Sequence, residues 1–195
     1  MKRTLVHATC LALMLALPGV VVAQQAERPA KERKAGGNDP FVMNADRDNL
    51  AEVQLGKLAA ERAVSDEVKK FAERMVTDHQ KAYDELKQIA DSKGLKVPTE
   101  PDSHAKKEYD RLAKMSGADF DRAYMDLMVR EHDRDVKAFQ RAAKNERDPQ
   151  LRDWAAKTLL TLQEHQKLAK DTDSHVRTAR KERGTPSASP GSTQK

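Results

Sequence analysis

The sequence predicts an all-α protein, a four-helix bundle built from two helical hairpins. Apolar residues recur along most of the chain with the 3.6-residue period of amphipathic helices. Charged residues make up 34% of the 195 residues and aromatic residues only 4%. Sheet-rich domains usually carry more aromatic and β-branched residues, so this composition favours helices with charged outer faces.

Residues 1–23 have the features of a secretory signal peptide. Two basic residues follow the first methionine, residues 5–17 form an apolar run, and Val21-Val22-Ala23 offers a small-residue cleavage site. The run is short for a membrane span, which favours cleavage over an uncleaved anchor. Cleavage would remove Cys10, the one cysteine of the chain, and with it any disulfide or thiolate chemistry. We therefore expect an exported protein of the periplasm or cell envelope.

Two polar segments flank the predicted bundle domain of residues 40–175. Residues 24–39 are interpreted as a linker, and the basic tail of residues 176–195 is expected to be disordered. The net charge of +5 belongs to these flanks and to the first residues, because residues 40–175 sum to −2. No specific nucleic-acid binding is expected of the bundle, whereas the tail is suited to weak contact with anionic envelope surfaces.

The first hairpin consists of helices A and B. Asp39-Pro40 combines an N-cap with proline at the first helical position, so helix A is predicted from there to about Arg62. Ser65, followed by two acids, predicts the start of helix B, which runs to about Lys93 and stops at Gly94. The apolar stripes of the two helices are Ala45, Leu55, Ala59 and Ala63, then Val68, Phe71, Ala72, Met75, Val76, Ala82, Leu86 and Ile89.

The second hairpin follows a long connection. Pro98 and Pro101 interrupt the chain there, and residues 103–115 have the pattern of a short helix. Helix C is predicted over residues 117–145, and helix D from Asp148-Pro149 to about Thr172. Tight A–B and C–D connections with a long B–C connection suggest the crossover seen in ferritin-like folds.

Four polar residues interrupt the predicted core. His79, His132 and His165 occupy positions where the stripes of helices B, C and D require a buried residue. Each lies near the middle of its helix, so the three rings are expected at one height in the bundle. Glu52 faces the stripe of helix A within about one turn of that height. Burying three imidazoles and a carboxylate is costly unless they are hydrogen-bonded or bind a metal.

The layer has three interpretations. In a metal site, the histidines suit zinc, copper or iron, Glu52 supplies an oxygen, and Met75 and Met128 add soft sulfur that favours copper. Alternatively, the layer is a hydrogen-bonded polar core that fixes helix register, with the methionines as filler. It is also compatible with another small ligand. A ferritin-type di-iron enzyme is disfavoured, because no Glu has a His three residues later.

Other polar residues have weaker functional signals. An acid directly precedes each histidine of the layer: Asp78, Glu131 and Glu164. Each acid points about 100° away from its neighbour, so pairing with Lys or Arg is favoured over a role in orienting the imidazoles. His104 and His175 are interpreted as surface histidines.

A set of short segments along the chain carries a family resemblance: Phe41-Val42, residues 50–59, residues 68–72, residues 75–79, residues 117–125 on to His132, Asp148-Pro149, Leu159-Leu160 and His165. Together they resemble a family of exported bacterial proteins known as domain of unknown function 4142. The resemblance spans roughly residues 40–172 and implies a ferritin-like fold in the periplasm or cell envelope. It implies no activity, so three functions remain open: a metal-binding envelope protein, a ferritin-type redox enzyme, or a non-catalytic interaction or stress module.

Overall fold

The computed structural model describes residues 37–184, which contain five helices and no strand. This confirms the all-α prediction for that part of the chain. The predicted signal peptide, residues 24–36 of the predicted linker and residues 185–195 of the predicted tail lie outside the described residues. Within the described range, no helix is both long enough and apolar enough to cross a membrane. The helices are α1 (Pro40–Arg62), α2 (Asp66–Ser92), α3 (Ser103–Leu112), α4 (Gly117–Asn145) and α5 (Pro149–Gly184).

The helix starts follow the predicted signals, with one exception. Asp39 accepts hydrogen bonds from the backbone N–H groups of Phe41 and Val42, at 2.9 and 3.3 Å. Asp148 caps α5 in the same way. Ser65 is the N-cap residue of α2, but its hydroxyl makes no capping bond. Asp121 of α4 instead accepts from the N–H groups of Val64 and Ser65, at 3.1 and 2.8 Å, so a residue from the second hairpin holds the segment that leads into α2.

The helices pack chiefly as two pairs, α1 with α2 and α4 with α5, while α2 also contacts α5 and α1 contacts α4. Residues 63–65 and 146–148 join the members of each pair, and such short loops require antiparallel neighbours. Gly56 lets α1 approach α2 closely. A Cβ atom there would lie 2.9 Å from Val76 Cγ2 and 3.0 Å from the Ala72 carbonyl oxygen.

The buried apolar residues form two clusters. The first contains Met75 and Met128 together with Phe71, and the second contains Leu86 and Val136 together with Leu162. Along α2 and α4, the residues of the first cluster come before the buried histidine and those of the second cluster come after it. Along α5 the order is reversed, because His165 lies between Leu162 of the second cluster and Ala169 of the first. The polar layer therefore separates two apolar cores.

The last helix is longer than the sequence predicted. It continues past Thr172 to Gly184, so residues 176–184 are helical and do not belong to a disordered tail. Val176 packs against the first apolar cluster, and Arg177 pairs with Asp173 and with Asp126 of α4. These contacts stabilise a segment whose composition alone resembles a flexible terminus.

Candidate metal centre

Three buried imidazoles meet between α2, α4 and α5. His79, His132 and His165 are 3%, 0% and 1% exposed. Their ring centroids form a nearly equilateral triangle with sides of 5.7, 5.4 and 5.4 Å. One potential ligand nitrogen of each ring lies within 4.8 Å of those of the other two. The three helices thus bring together the histidines that the sequence places at one height.

Each imidazole is anchored through one ring nitrogen. His79 Nδ1 bonds the Asn49 side-chain oxygen at 3.0 Å, and His132 Nδ1 bonds the Met128 carbonyl oxygen at 2.9 Å. His165 Nε2 bonds the Asp78 carboxylate at 2.8 Å. All three partners are acceptors, so the anchored nitrogen of each ring carries the proton and donates.

The opposite nitrogen of each ring carries an unshared lone pair. These atoms are Nε2 of His79 and His132 and Nδ1 of His165, and all three are buried with no hydrogen-bond partner among residues 37–184. A buried polar atom without a partner costs about 1–3 kcal/mol, so three in one place require an explanation. A metal ion accepts such lone pairs, and the outer hydrogen bonds are those that orient ligating histidines in metalloproteins.

Burial keeps the imidazoles neutral. It lowers the pKa of His79 well below the usual value and that of His132 to about 4. Burial also lowers the pKa of His165, although the hydrogen bond that His165 donates to Asp78 opposes this shift. Neutral imidazole is the form that binds metals.

Asp78 orients a histidine on another helix rather than its neighbour His79. Its carboxylate bridges His165 of α5 and Arg74 of α2, and Arg74 also bonds Glu164 at 2.8 Å. The sequence predicted that these acids pair with Lys or Arg. That prediction is correct for Glu164 and for Asp78, since both bond Arg74. The contact between Asp78 and His165 joins α2 to α5 and becomes visible only in the tertiary structure.

Glu52 does not belong to the converging group. Among the described residues, the three imidazoles are the one group of three or more His, Cys, Asp or Glu side chains whose ligand atoms all lie within 4.8 Å of one another. Glu52 is 2% exposed and lines a separate cavity between α1, α3 and α4. Glu131 lines the same cavity and pairs with Arg134 at 2.5 Å.

The remaining predicted residues surround the layer or lie away from it. Met75 and Met128 are fully buried, one helical turn before His79 and His132. His104 and His175 are exposed, and His175 bonds Glu67 at 3.0 Å.

Sequence reasoning missed Asn49, which is 4% exposed and anchors His79 from α1. The sequence contained a signal for this residue: Asn49 lies four residues after Ala45 and seven before Gly56, a spacing that puts it on the buried side of α1.

Comparison with known proteins places the chain beside helical families without an assigned activity. The sequence profile of the family described as domain of unknown function (DUF4142) matches residues 23–172. A solved DUF305 protein from Streptomyces coelicolor, named as a presumed secreted protein, is 14% identical with a TM-score of 0.60, covering 70% of this chain and 91% of that one. A DUF305 fragment from Deinococcus radiodurans is 16% identical with a TM-score of 0.60, covering 71% and 98%. At these identities the likeness is one of fold, and no match was found among curated proteins.

Proposed function

The chain belongs to the DUF4142 family, and from that premise we propose that it is an exported helical bundle that binds one transition-metal ion through His79, His132 and His165. The observation that carries the proposal is that His79, His132 and His165 each bring one ring nitrogen within 4.8 Å of those of the other two, while each ring also keeps one buried nitrogen without a hydrogen-bond partner among the described residues. Each belongs to a ring whose other nitrogen is already fixed by an acceptor. The proposed function is binding and not catalysis.

The geometry requires only a small closure around the ion. Metal–nitrogen bonds of about 2.0–2.1 Å in a tetrahedral site place the nitrogens about 3.3 Å apart. Small rotations of three side chains that already face one another achieve this spacing. Three imidazoles leave a fourth position open, which water or a thioether from Met75 or Met128 would fill. Sulfur in that position favours copper, whereas water favours zinc, and iron is the third metal to compare.

Location and fold complete the proposal. We propose the periplasm or cell envelope, because the N-terminal residues have a signal-peptide pattern. We also propose a ferritin-like arrangement of the four long helices, supported by the tight α1–α2 and α4–α5 connections and by the long connection that carries α3.

The test is metal binding by protein purified without an affinity tag. Titrations with Zn²⁺, Cu⁺ and Fe²⁺ should reveal one saturable site, and Co²⁺ should give the visible bands of a four-coordinate ion. His79→Ala, His132→Ala and His165→Ala should each cost more than the roughly 10–100-fold that loss of an orienting partner costs. Asp78→Asn should fall within that range.

His175→Ala is the matched control, because it removes an exposed histidine that lies outside both the cluster and the cavity beside Glu52. Its affinity should equal that of the parent chain. A parent chain without a saturable site, or one whose binding survives His79→Ala and His132→Ala, would refute the proposal. The layer would then be a structural polar core.

A further inference from the structure

A second buried polar site lies on the other side of α4 from the contacts with α5. It is a partly open cavity of about 30 Å³ between α1, α3 and α4. Carboxylates dominate its lining, with Arg134 and His104 as the basic residues. The volume is that of roughly two water molecules, since one needs about 10–15 Å³. The acids that line it are Asp48, Glu52, Asp102, Glu108, Glu131 and Asp135.

Glu52 lacks a partner in this cavity. Its side chain is almost fully buried, and Oε2 has no hydrogen-bond partner. Asp135, only 3% exposed, lines the same cavity from α4. A buried, unpaired carboxylate oxygen is among the costliest features a fold retains, and a cation or a proton relieves the cost.

Arg134 is the counter-ion of this cavity, and it contacts several carboxylates at once. Its guanidinium contacts Glu131 at 2.5 Å, Asp48 at 3.1 Å and Asp135 at 3.4 Å, while half of its side chain is exposed to solvent. One positive charge thus serves three acids, and no ion pair to Glu52 occurs among the described residues.

We propose that this cavity is a second cation site, which binds a hard divalent cation such as Ca²⁺ or Mn²⁺ through Glu52 and Asp135. Oxygen donors alone select hard cations, in contrast to the imidazoles of the first site. The cavity has room for an ion with about one water, and the other acids of its wall would complete the six to eight oxygens that Ca²⁺ takes. Binding moves the exposed side chain of Arg134 outwards, and it draws α3 onto the bundle because Asp102 and Glu108 line the opposite wall.

Calorimetric titration of the full chain with Ca²⁺ at pH 8.5 tests the proposal. Ca²⁺ avoids nitrogen ligands, so the three histidines do not contribute to the signal. Glu52→Gln and Asp135→Asn keep the side-chain shape, and each should weaken binding at least tenfold. Arg134→Gln removes the competing cation and should tighten binding at least fivefold. Ca²⁺ should also slow amide exchange in α3.

Asp110→Asn is the matched control, because this exposed acid of α3 does not line the cavity. Its binding should equal that of the parent chain. Circular dichroism establishes that each variant is folded, and the two acid variants provide independent readings. The proposal is overturned if neither the parent chain nor Arg134→Gln binds Ca²⁺ up to about 10 mM, tenfold above the weakest extracellular calcium modules. It is also overturned if Glu52→Gln and Asp135→Asn bind as the parent does. Loss of the histidine site leaves these outcomes unchanged, so the two proposals fail separately.

Discussion

Asp46 should make the protein less stable as the pH rises. Its side chain is fully buried on α1, and neither carboxylate oxygen has a hydrogen-bond partner among the described residues. Burial raises its pKa from 3.8 to about 7, opposed by the charge of Lys87 on α2. Between these values the folded chain keeps a proton that the unfolded chain has lost. The folded state therefore binds more protons, and the free energy of unfolding falls with rising pH.

The size of the effect follows from the two pKa values. The full shift corresponds to about 4 kcal/mol at 1.36 kcal/mol per unit. Most of the unfolded acid has already ionised at pH 5, so the loss between pH 5 and pH 8 is at most about 2.5 kcal/mol. Asp46→Asn keeps the shape without the ionisation. The stability advantage of the variant over the parent chain should therefore grow by up to that amount between pH 5 and pH 8.

Urea unfolding at pH 5 and pH 8 measures the difference. Other buried acids titrate in both chains, so the difference between the two curves isolates Asp46. Asp84→Asn is the control, because Asp84 is an exposed acid of α2, and it should leave the pH dependence unchanged. If Asp46→Asn and the parent chain lose the same stability between the two pH values, the buried-acid reasoning is wrong.

Three further changes test the packing by urea unfolding. Gly56→Ala should destabilise by about 1–3 kcal/mol, more than the helix preference of alanine returns, because the new Cβ meets Val76 and a backbone oxygen. Asp121→Ala should cost about 1–3 kcal/mol, since the N–H groups of Val64 and Ser65, directly before α2, lose their acceptor. Val176→Ser should cost about 1 kcal/mol through lost apolar burial, and amides 173–179 should exchange slowly in the parent chain.

Each of these variants has a discriminating control. Gly37→Ala adds a Cβ with no heavy atom within 4 Å, so it should not reproduce the loss expected at Gly56. Asp121→Asn keeps an acceptor oxygen and should cost less than Asp121→Ala. Ser174→Ala changes an exposed position on the same turn as Val176 and should be nearly neutral. If a variant and its control lose the same free energy of unfolding, the packing explanation for that position is wrong.

The sequence predicted the helices well, because the signals that start and stop a helix depend only on neighbouring residues. Asp39-Pro40, Gly94 and Asp148-Pro149 act within one turn, and the observed helices begin or end beside them. The predicted end of the last helix, near Thr172, was wrong because Val176 packs against the first apolar cluster and Arg177 pairs with an acid of α4. Such contacts leave no trace in local composition.

The candidate site was likewise predictable only in part. By itself, the sequence determined that His79, His132 and His165 lie on buried faces near the middle of three helices, because periodicity fixes both face and height. Tertiary structure alone decided which ring nitrogen faces inward, that Asn49 and Asp78 anchor rings on other helices, and that Glu52 faces a separate cavity. The physical reason is that spacing along one helix specifies a direction from its own axis, whereas contacts between side chains depend on how neighbouring helices are rotated and placed.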